Sequence, residues 1–299
     1  MRTLLILIKR NVKLFFREKG MFLTSLITPC ALLLLYIAFL GNVYRDSFLS
    51  SLPEGVQISE ELLSALVGGQ LISSVLSVSC ITVAFSANFL MVQDKARGTV
   101  RDLRVSPVSP ALLSVGYYIA TLLSTLIICL AATAVSLVYV SFVGFYLSVA
   151  DIFLLLSDVV LLTMLGTAIS SVVSFFLSSQ GQISAVGTLV SAGYGYICGA
   201  YMPIYTFGEG MRRVIMLLPG TYGTSLLRNH AMRGVLAEIE REGMPSAAMT
   251  ALCDALDCNL YFFGHKVEVA YMYLILAATT LICLGIYVLL NLLRRRERG

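Results

Sequence analysis

Five long stretches of this 299-residue chain contain no Asp, Glu, Lys or Arg, and each has at least 25 residues. A helix needs about 20 apolar residues to cross the hydrocarbon of a bilayer. Only 13% of the chain is charged, about half the fraction in an ordinary soluble domain. The chain is therefore predicted to be a helical integral membrane protein, which excludes a soluble enzyme, a secreted disulfide scaffold and a disordered chain. The charge-free stretches are 20–44, 62–93, 105–150, 159–208 and 269–293.

Polar breaks within these stretches predict six membrane spans. The third stretch has no polar break before Gly144 and is interpreted as one span, whereas the sequence SSQGQ at 178–182 divides the fourth. The predicted fold class is an all-α integral membrane protein with a single transmembrane domain over 1–299. The predicted spans are about 21–42, 66–92, 111–143, 152–177, 183–203 and 269–292.

Basic residues are distributed unequally between the two sides of such a protein. The N-terminal segment, the loop at 93–106 and the C-terminus carry 14 basic and 4 acidic residues, whereas the opposite side carries 7 basic and 12 acidic residues. Short loops rich in Lys and Arg stay in the cytoplasm. We therefore expect a multi-pass protein of the cytoplasmic (inner) membrane, with both termini and the 93–106 loop on the cytoplasmic side.

Residues 2–19 have apolar side chains at helical spacing on one face and basic side chains on another. This pattern predicts an amphipathic helix that lies in the cytoplasmic interface before the first span. A signal peptide is the alternative, but no small-residue cleavage site follows the short apolar patch. The basic residues of this predicted interfacial helix are Lys9, Arg10, Lys13 and Arg17.

Two further segments follow the fifth span on the outer side. In 204–231 the charge-free piece 214–227 is too short to cross a bilayer and contains Pro and Gly, so a pair of short helices dipping into the outer leaflet is predicted. Beyond it, 232–268 is predicted to be a polar external loop. Its two cysteines, Cys253 and Cys258, either form a disulfide or remain free thiols in a short helix.

The chain lacks the patterns of most catalytic and metal sites. It has no HExxH or CxxC pattern, and none of its lysines follows a glycine as a P-loop requires. We expect no catalytic residue, no metal and no cofactor bound by this chain. Asp158 is the one ionisable residue within a predicted span, either as a carboxylate near a helix end or, alternatively, in a substrate pathway or subunit interface. Asn88 is a further pathway candidate, although small polar residues on spans more often pack helices together.

The loop after the second span is short and charged, and it ends in the sequence SPVSP at 106–110. Proline and the residue before it resist helix, so a short helix at about 94–104 should end before Ser106 and Pro107. Held against the membrane by two long spans, such a helix is suited to transmit a push from a soluble partner. Charge alone favours an ordinary solvated loop.

Two sets of residues change that interpretation. The first is Asp94, Lys95, Gly98, Thr99, Leu103, Ser106 and Pro107, and the second is Gly199, Pro203, Pro219, Tyr222 and Arg228. In their order and spacing they resemble ABC-2 type permeases, the membrane subunits of one class of ABC exporter. The second set resembles that family's outer end of span five and its re-entrant segment. The chain departs from the family pattern at Asp94 (usually Glu), Arg101 (often acidic) and Tyr117 (often Lys), which puts the charge pairing with an ATPase in question.

The resemblance implies a type V exporter-like half-transporter that pairs with a second permease, either another copy or a sister chain. Two separate ATPase subunits, which bind ATP and Mg, would sit beneath it, and no nucleic acid is involved. Gly98 would permit close approach of the ATPase, Pro107 would fix the exit into span three, and the interfacial helix would touch both the ATPase and anionic lipid. The residues implied in ATPase coupling are Asp94, Lys95, Arg97, Gly98, Thr99, Arg101, Asp102, Leu103, Arg104, Ser106 and Pro107.

The cargo is not specified by the sequence. The candidate lining residues are small or polar but uncharged, which suits an amphipathic or hydrophobic substrate, and a polysaccharide remains open in this family. Two rival interpretations need no ATPase. One is a stand-alone channel, immunity factor or scaffold protein, and the other is a proton-driven secondary transporter that uses Asp158.

Overall fold

The computed structural model describes residues 2–51, 58–105 and 108–296, so the predicted loop-ending residues Ser106 and Pro107 lie outside the described residues. The helices of the first half are α1 (Arg2–Arg17), α2 (Lys19–Leu35), α3 (Gly41–Ser51), α4 (Glu60–Ala87), α5 (Phe89–Ala96), α6 (Thr99–Val105) and α7 (Pro110–Val143), with a π-helical turn at Tyr36–Leu40. Those of the second half are α8 (Val149–Phe176), α9 (Gln180–Ile197), α10 (Glu209–Ile215), α11 (Pro219–Arg241), α12 (Ser246–Ala255) and α13 (Val269–Arg296), with a 3-10 turn at Ile204–Thr206.

Five segments of the described chain are long and apolar enough to cross a membrane. Each overlaps one of the predicted spans. The remaining predicted span, 183–203, is the fifth in chain order and overlaps α9. This 18-residue helix is less apolar than the five segments, so the number of six spans stays a prediction. The five segments are Lys19–Ser50, Glu60–Ala96, Pro110–Val143, Val149–Phe176 and Val269–Leu293.

Helix α4 forms the centre of the bundle, because 89% of its most apolar stretch is buried and α2, α7, α8, α9 and α11 pack around it. Small residues allow these close contacts. A side chain at Gly69 would meet the Met232 side chain at 2.5 Å, and one at Gly166 would meet the Cys80 carbonyl at 2.8 Å. The outer helices α2, α7 and α13 expose large apolar side chains instead, as helices facing lipid do.

Local signals place the helix ends. Ser109 caps α7 by accepting the Leu112 N–H, and Pro110 occupies the first turn, where no backbone donor is needed. Helix α8 begins with a capping box between Ser148 and Asp151, so it starts a turn before the predicted span.

At about 1.5 Å per residue, the α4–α5 segment is about 55 Å long and exceeds the roughly 30 Å of bilayer hydrocarbon.

The bundle has two ends with different contents. The basic end contains α1, α5, α6 and the last turn of α8. The opposite end contains α3, the start of α4, and α10 to α12. It also holds a short antiparallel hairpin of β1 (Leu260–Phe262) and β2 (His265–Val267), which departs from the all-α prediction. The hairpin forms because Gly264, with φ +85, permits the reversal between the strands.

Candidate functional site

At the basic end, one carboxylate joins three helices. Asp94, near the end of α5, is buried. Its Oδ2 accepts hydrogen bonds from Arg10 Nη1 on α1 at 2.8 Å and from the Tyr117 hydroxyl on α7 at 2.6 Å. Burial by itself lowers the pKa of the Arg10 guanidinium, but the Asp94 carboxylate more than reverses this, so that the pKa lies above its usual value. Arg10 thus supplies the positive charge that pairs with Asp94.

Lys95 binds the end of α8. Its ammonium donates to three backbone carbonyl oxygens at 2.7, 2.9 and 3.3 Å, those of Ser174, Phe175 and Leu177. The last carbonyls of a helix have no partner within the helix and carry partial negative charge, so a cation is favourable there. Lys95 therefore acts as a charged cap that attaches α5 to α8.

The residues at 94–105, the loop segment, turn sharply between α5 and α6. Gly98 has φ +82, a left-handed conformation that favours glycine. A side chain there would meet nothing within 4 Å in this chain, so the glycine serves the backbone conformation rather than close packing within the subunit. Next to it, Arg97 is exposed, with its guanidinium 4.0 Å from the Glu18 carboxylate.

The predicted contact residues of the loop segment therefore divide into two groups. Asp94 and Lys95 point into the bundle, whereas Arg97 and Asp102 face outward. Among the predicted contacts whose side chains the structure describes, these two are the exposed ones. Of the other predicted contacts, Thr99 and Leu103 are half-buried, Arg101 and Arg104 lie within α6, and Ser106 and Pro107 lie outside the described residues.

Helix α1 is amphipathic. Leu7, Asn11 and Phe15 are buried at successive turns, whereas Lys9, Lys13 and Arg17 are exposed. Arg10 is half-buried and directed at Asp94, so one of the four predicted basic residues belongs to the interior contact rather than to the surface.

Asn88 lies between α4 and α5, where the long helix is interrupted. Its Nδ2 donates to the hydroxyls of Ser170 at 2.5 Å and Ser171 at 3.2 Å on α8, and its Oδ1 accepts from the Thr121 hydroxyl on α7 at 3.2 Å. Asn88 is fully buried. The predicted pathway residue is thus engaged in joining three helices of one subunit.

At the opposite end, Arg228 is a buried cation, only 1% exposed. Its Nη1 lies 2.7 Å from the Asp257 carboxylate, and Nη2 donates to the Gly199 carbonyl. Asp257 also accepts the Ile204 N–H at 3.0 and 3.1 Å. Burial raises the pKa of the Asp257 carboxyl to about 6, against the lowering effect of Arg228 and of the Ile204 N–H. The carboxylate is therefore ionised at pH 7 and neutralises Arg228.

The turn after α9 is fixed by this ion pair and by two tyrosines. Tyr36 and Tyr44 both donate to the Ala200 carbonyl, at 2.5 and 3.1 Å. Gly199 has φ +77, and a side chain there would meet the Ile204 side chain at 2.8 Å. Gly199 and Arg228, 29 residues apart, are thus brought together at this turn.

The segment predicted as two short helices is arranged differently. Pro203 precedes a 3-10 turn, and Pro219 starts α11, which continues past residue 231 to Arg241. The charge-free piece 214–227 ends at Arg228 in the sequence, but α11 continues through this residue, whose charge Asp257 neutralises. The Tyr222 hydroxyl donates to the Met216 carbonyl at 2.7 Å and so closes the turn before α11.

Helix α11 starts deep in the bundle. The hydroxyls of Thr224 and of Ser77, in the middle of α4, are 2.5 Å apart. A side chain at Gly223 would lie 2.5 Å from Leu162, which belongs to the middle of α8. The first turns of α11 therefore pack among the long helices, and its last turns reach the opposite end.

The predicted external loop at 232–268 contains the end of α11, α12 and the hairpin. Helix α12 ends with the two hydrogen bonds of a Schellman motif, from Cys258 N–H to the Cys253 carbonyl at 2.9 Å and from Asp257 N–H to the Asp254 carbonyl at 3.1 Å. Asp257 takes the left-handed conformation, with φ +50. Cys253 and Cys258 are free thiols in the structure, and a bridge between them stays a prediction.

Asp158 is not a carboxylate reaching out to solvent from a helix end. It is 1% exposed; its Oδ2 lies 2.5 Å from His230 Nδ1, and its Oδ1 accepts the Tyr273 hydroxyl at 2.5 Å. His230 belongs to the segment 204–231, which was predicted to lie on the outer side. The contacts of His230 and Tyr273 with Asp158 span 72 and 115 residues, so no local pattern could have indicated them.

These features define a multi-pass helical membrane protein with a charged segment braced at one end and a buried ion pair at the other. The family model of the ABC-2 type transporter matches residues 2–231, and the chain belongs to this family. It is an ABC transporter permease; permeases of this family are membrane subunits without catalytic activity of their own that associate in general with ABC ATPases. The match ends within α11 and leaves α12, the hairpin and α13 outside it. A search of curated proteins finds no match.

Proposed function

We propose that the chain is the permease subunit of an ATP-driven exporter that moves an amphipathic or hydrophobic substrate outward across the cytoplasmic membrane by alternating access. One observation carries this proposal. The loop segment is attached to three other helices, α1 and α7 through Asp94 and α8 through Lys95, so a displacement of this segment must displace the bundle.

The outward residues of the loop segment meet the ATPase. Arg97 and Asp102 are exposed there, and Arg101 and Arg104 add positive charge to the same short helix. Asp94 and Lys95 hold the segment in place and act as positioning residues rather than as contacts. ATP and Mg bind to the ATPase and not to this chain, and closure of the ATPase pair supplies the movement.

The exposed basic face of α1 lies beside this contact. Lys9, Lys13 and Arg17 are all exposed. They contact anionic lipid headgroups and the edge of the ATPase, which fits an interfacial helix with its apolar face packed on the bundle.

The topology completes six spans with both termini in the cytoplasm. Helix α9, with the turn that follows it, provides the fifth of these spans. The segment from Ile204 through the first turns of α11 is re-entrant, since α11 starts level with the middle of α4 and α8. Irregular backbone at that depth is tolerated because it is packed against protein.

A second permease covers α9. One face of this helix exposes small and polar residues, which fit helix-to-helix packing better than contact with lipid. The exposed residues on it are Gly181, Gln182, Ser184, Ala185, Thr188, Leu189 and Ala192, together with the aromatic Tyr196. The partner is a second copy or a sister chain, and the substrate path lies between the two.

Charge reversal at the loop segment tests the ATPase contact. The variant Arg97→Glu with Asp102→Lys keeps the net charge and alters only exposed residues. In proteoliposomes containing the ATPase, we expect substrate-stimulated ATP hydrolysis and export to fall together while the permease remains folded. The matched control reverses the exposed pair Glu238 and Arg241 at the opposite end. Unchanged export in the loop variant would contradict the assignment.

Co-purification distinguishes this function from the rivals that need no ATPase. Gentle detergent extraction from native membranes, followed by mass spectrometry, should recover a stoichiometric P-loop ATPase. Recovery of the permease alone, even after cross-linking with nucleotide present, would favour a stand-alone membrane protein.

Cross-linking tests the second permease. Leu189 on α9 is 73% exposed and Leu281 on α13 is 67% exposed, so they are matched positions on different helices. We expect Leu189→Cys to give an oxidative cross-linked dimer and Leu281→Cys to give none. The reverse pattern would place the dimer interface on α13.

A further inference from the structure

Three titratable groups from three helices converge at Asp158. His230 comes from α11 and Tyr273 from α13, and the two rings lie 6.2 Å apart between centroids. Asp158 and His230 are 1% and 5% exposed, and Tyr273 is half-buried. Each carboxylate oxygen faces a different donor, so the arrangement is a built site rather than a chance contact.

The protons follow from the charge on Asp158. When Asp158 is ionised it only accepts hydrogen bonds, and Nδ1 of His230 then carries the proton that lies between the ring and Oδ2 of Asp158. The tyrosine keeps its own proton and donates it to Oδ1. With Nε2 unprotonated, the site has a net charge of minus one. One more proton, on Nε2, makes the site neutral.

Burial favours the neutral form. A net charge between packed helices is disfavoured, and an imidazolium paired with a carboxylate avoids it. The additional proton belongs to the coupled pair rather than to either residue alone.

We propose that Asp158 and His230, with Tyr273, form a proton-binding site that holds α11 against α8 and α13. The proton comes from water at the opposite end of the bundle and binds Nε2 of His230. When it leaves, an uncompensated negative charge stays between the three helices and weakens their contact. The site therefore makes the position of α11 dependent on pH.

The other charged groups of α8 and α11 near Asp158 have ion-pair partners of their own. On α8, Asp151 pairs with Arg233 of α11 at 3.4 Å, and Arg228 of α11 is bound to Asp257. From α4, the Cys80 thiol donates to the Val159 carbonyl at 3.8 Å. The groups that interact electrostatically with Asp158 are His230 and Tyr273.

Histidine NMR tests the site directly, because the chain has two histidines, His230 and His265. His265 lies exposed on the hairpin and serves as the internal reference. The full-length protein, labelled with ¹⁵N-histidine, is titrated in nanodiscs. We expect the His230 signals of the native protein to respond to pH differently from those of Asp158→Asn. The control Asp151→Asn removes a buried carboxylate of the same helix and should leave the His230 response as in the native protein.

Thermal melting gives a second measurement that does not need Asp158→Asn to fold. A proton bound in the folded state and released on unfolding stabilises the fold at low pH, and this stability is lost as the pH rises. The melting temperature of the native protein should therefore fall from pH 6 to pH 8.5, and His230→Gln should reduce that fall. The same His230 response to pH in the native protein and in Asp158→Asn, or a pH dependence of melting that His230→Gln leaves unchanged, would overturn the proposal.

Discussion

Replacing Asp257 by asparagine tests whether the buried ion pair at the opposite end stabilises the fold. Asparagine has nearly the same shape, tolerates the left-handed backbone of this position and can still accept the Ile204 N–H. The change therefore removes the negative charge with little effect on the backbone. Arg228, 1% exposed, then keeps its bond to the Gly199 carbonyl but loses its counter-ion.

The expected loss of folding stability follows because Arg228 is left without a counter-ion. Removing one partner of a buried ion pair costs about 3–5 kcal/mol, because the other charge stays buried without compensation. The remaining bonds of Arg228 to Gly199 and to the new amide place the expected value at the lower end, about 3 kcal/mol. For a domain of this size, such a loss lowers the melting temperature by roughly 5–10 °C.

The assay is thermal melting in detergent at pH 7.5, above the pKa of about 6 of the Asp257 carboxyl. The control Glu238→Gln breaks an exposed pair with Arg241 and should cost at most about 1 kcal/mol. Adding Arg228→Met to Asp257→Asn removes the isolated charge and should restore part of the stability. If the double variant is less stable than Asp257→Asn, the loss does not come from an unpaired arginine and the reasoning is wrong.

Three further changes have expected outcomes, the first two in the same melting assay and the third in folded yield. Lys95→Met removes the charged cap from the end of α8 and should cost about 1–2 kcal/mol, so an unchanged melting temperature would argue against the cap. Asn88→Ala leaves three hydroxyls on α7 and α8 without this partner and should cost about 1 kcal/mol, since hydrogen bonds between membrane helices are individually weak. Gly234→Ala places a Cβ 1.8 Å from the Tyr146 carbonyl and should strongly reduce folded yield. Gly285→Ala meets nothing within 4 Å, so equal yields of the two would refute the packing argument.

The long helices were predictable because their signals are local. A run without charge, Pro110 at the start of α7 and the polar break at 178–182 are each visible within a few residues. Family motifs likewise indicated the loop segment and marked Gly199 and Arg228 as residues of one outer region. These features need no knowledge of which helices become neighbours.

The partners of the charged residues were not predictable from local sequence. Asp94 and Lys95 were expected at the surface because charged residues are usually solvated. In the structure Asp94 finds Arg10, which is 84 residues away, and Lys95 finds the end of α8. Arg228 likewise ends the charge-free piece 214–227 in the sequence, although Asp257 neutralises its charge within the fold.

The buried polar contacts of this protein lie along two helical connections between the basic end and the opposite end of the bundle. The first is α4–α5, which is interrupted at Asn88 and reaches α11 where Ser77 meets Thr224. The second is α8, an uninterrupted helix that is held at its end by Lys95 and bound to α11 through Asp158. An interruption lets a helix bend, whereas a continuous helix passes a displacement along its length. We therefore infer that α8 is the stiffer connection between the loop segment and α11.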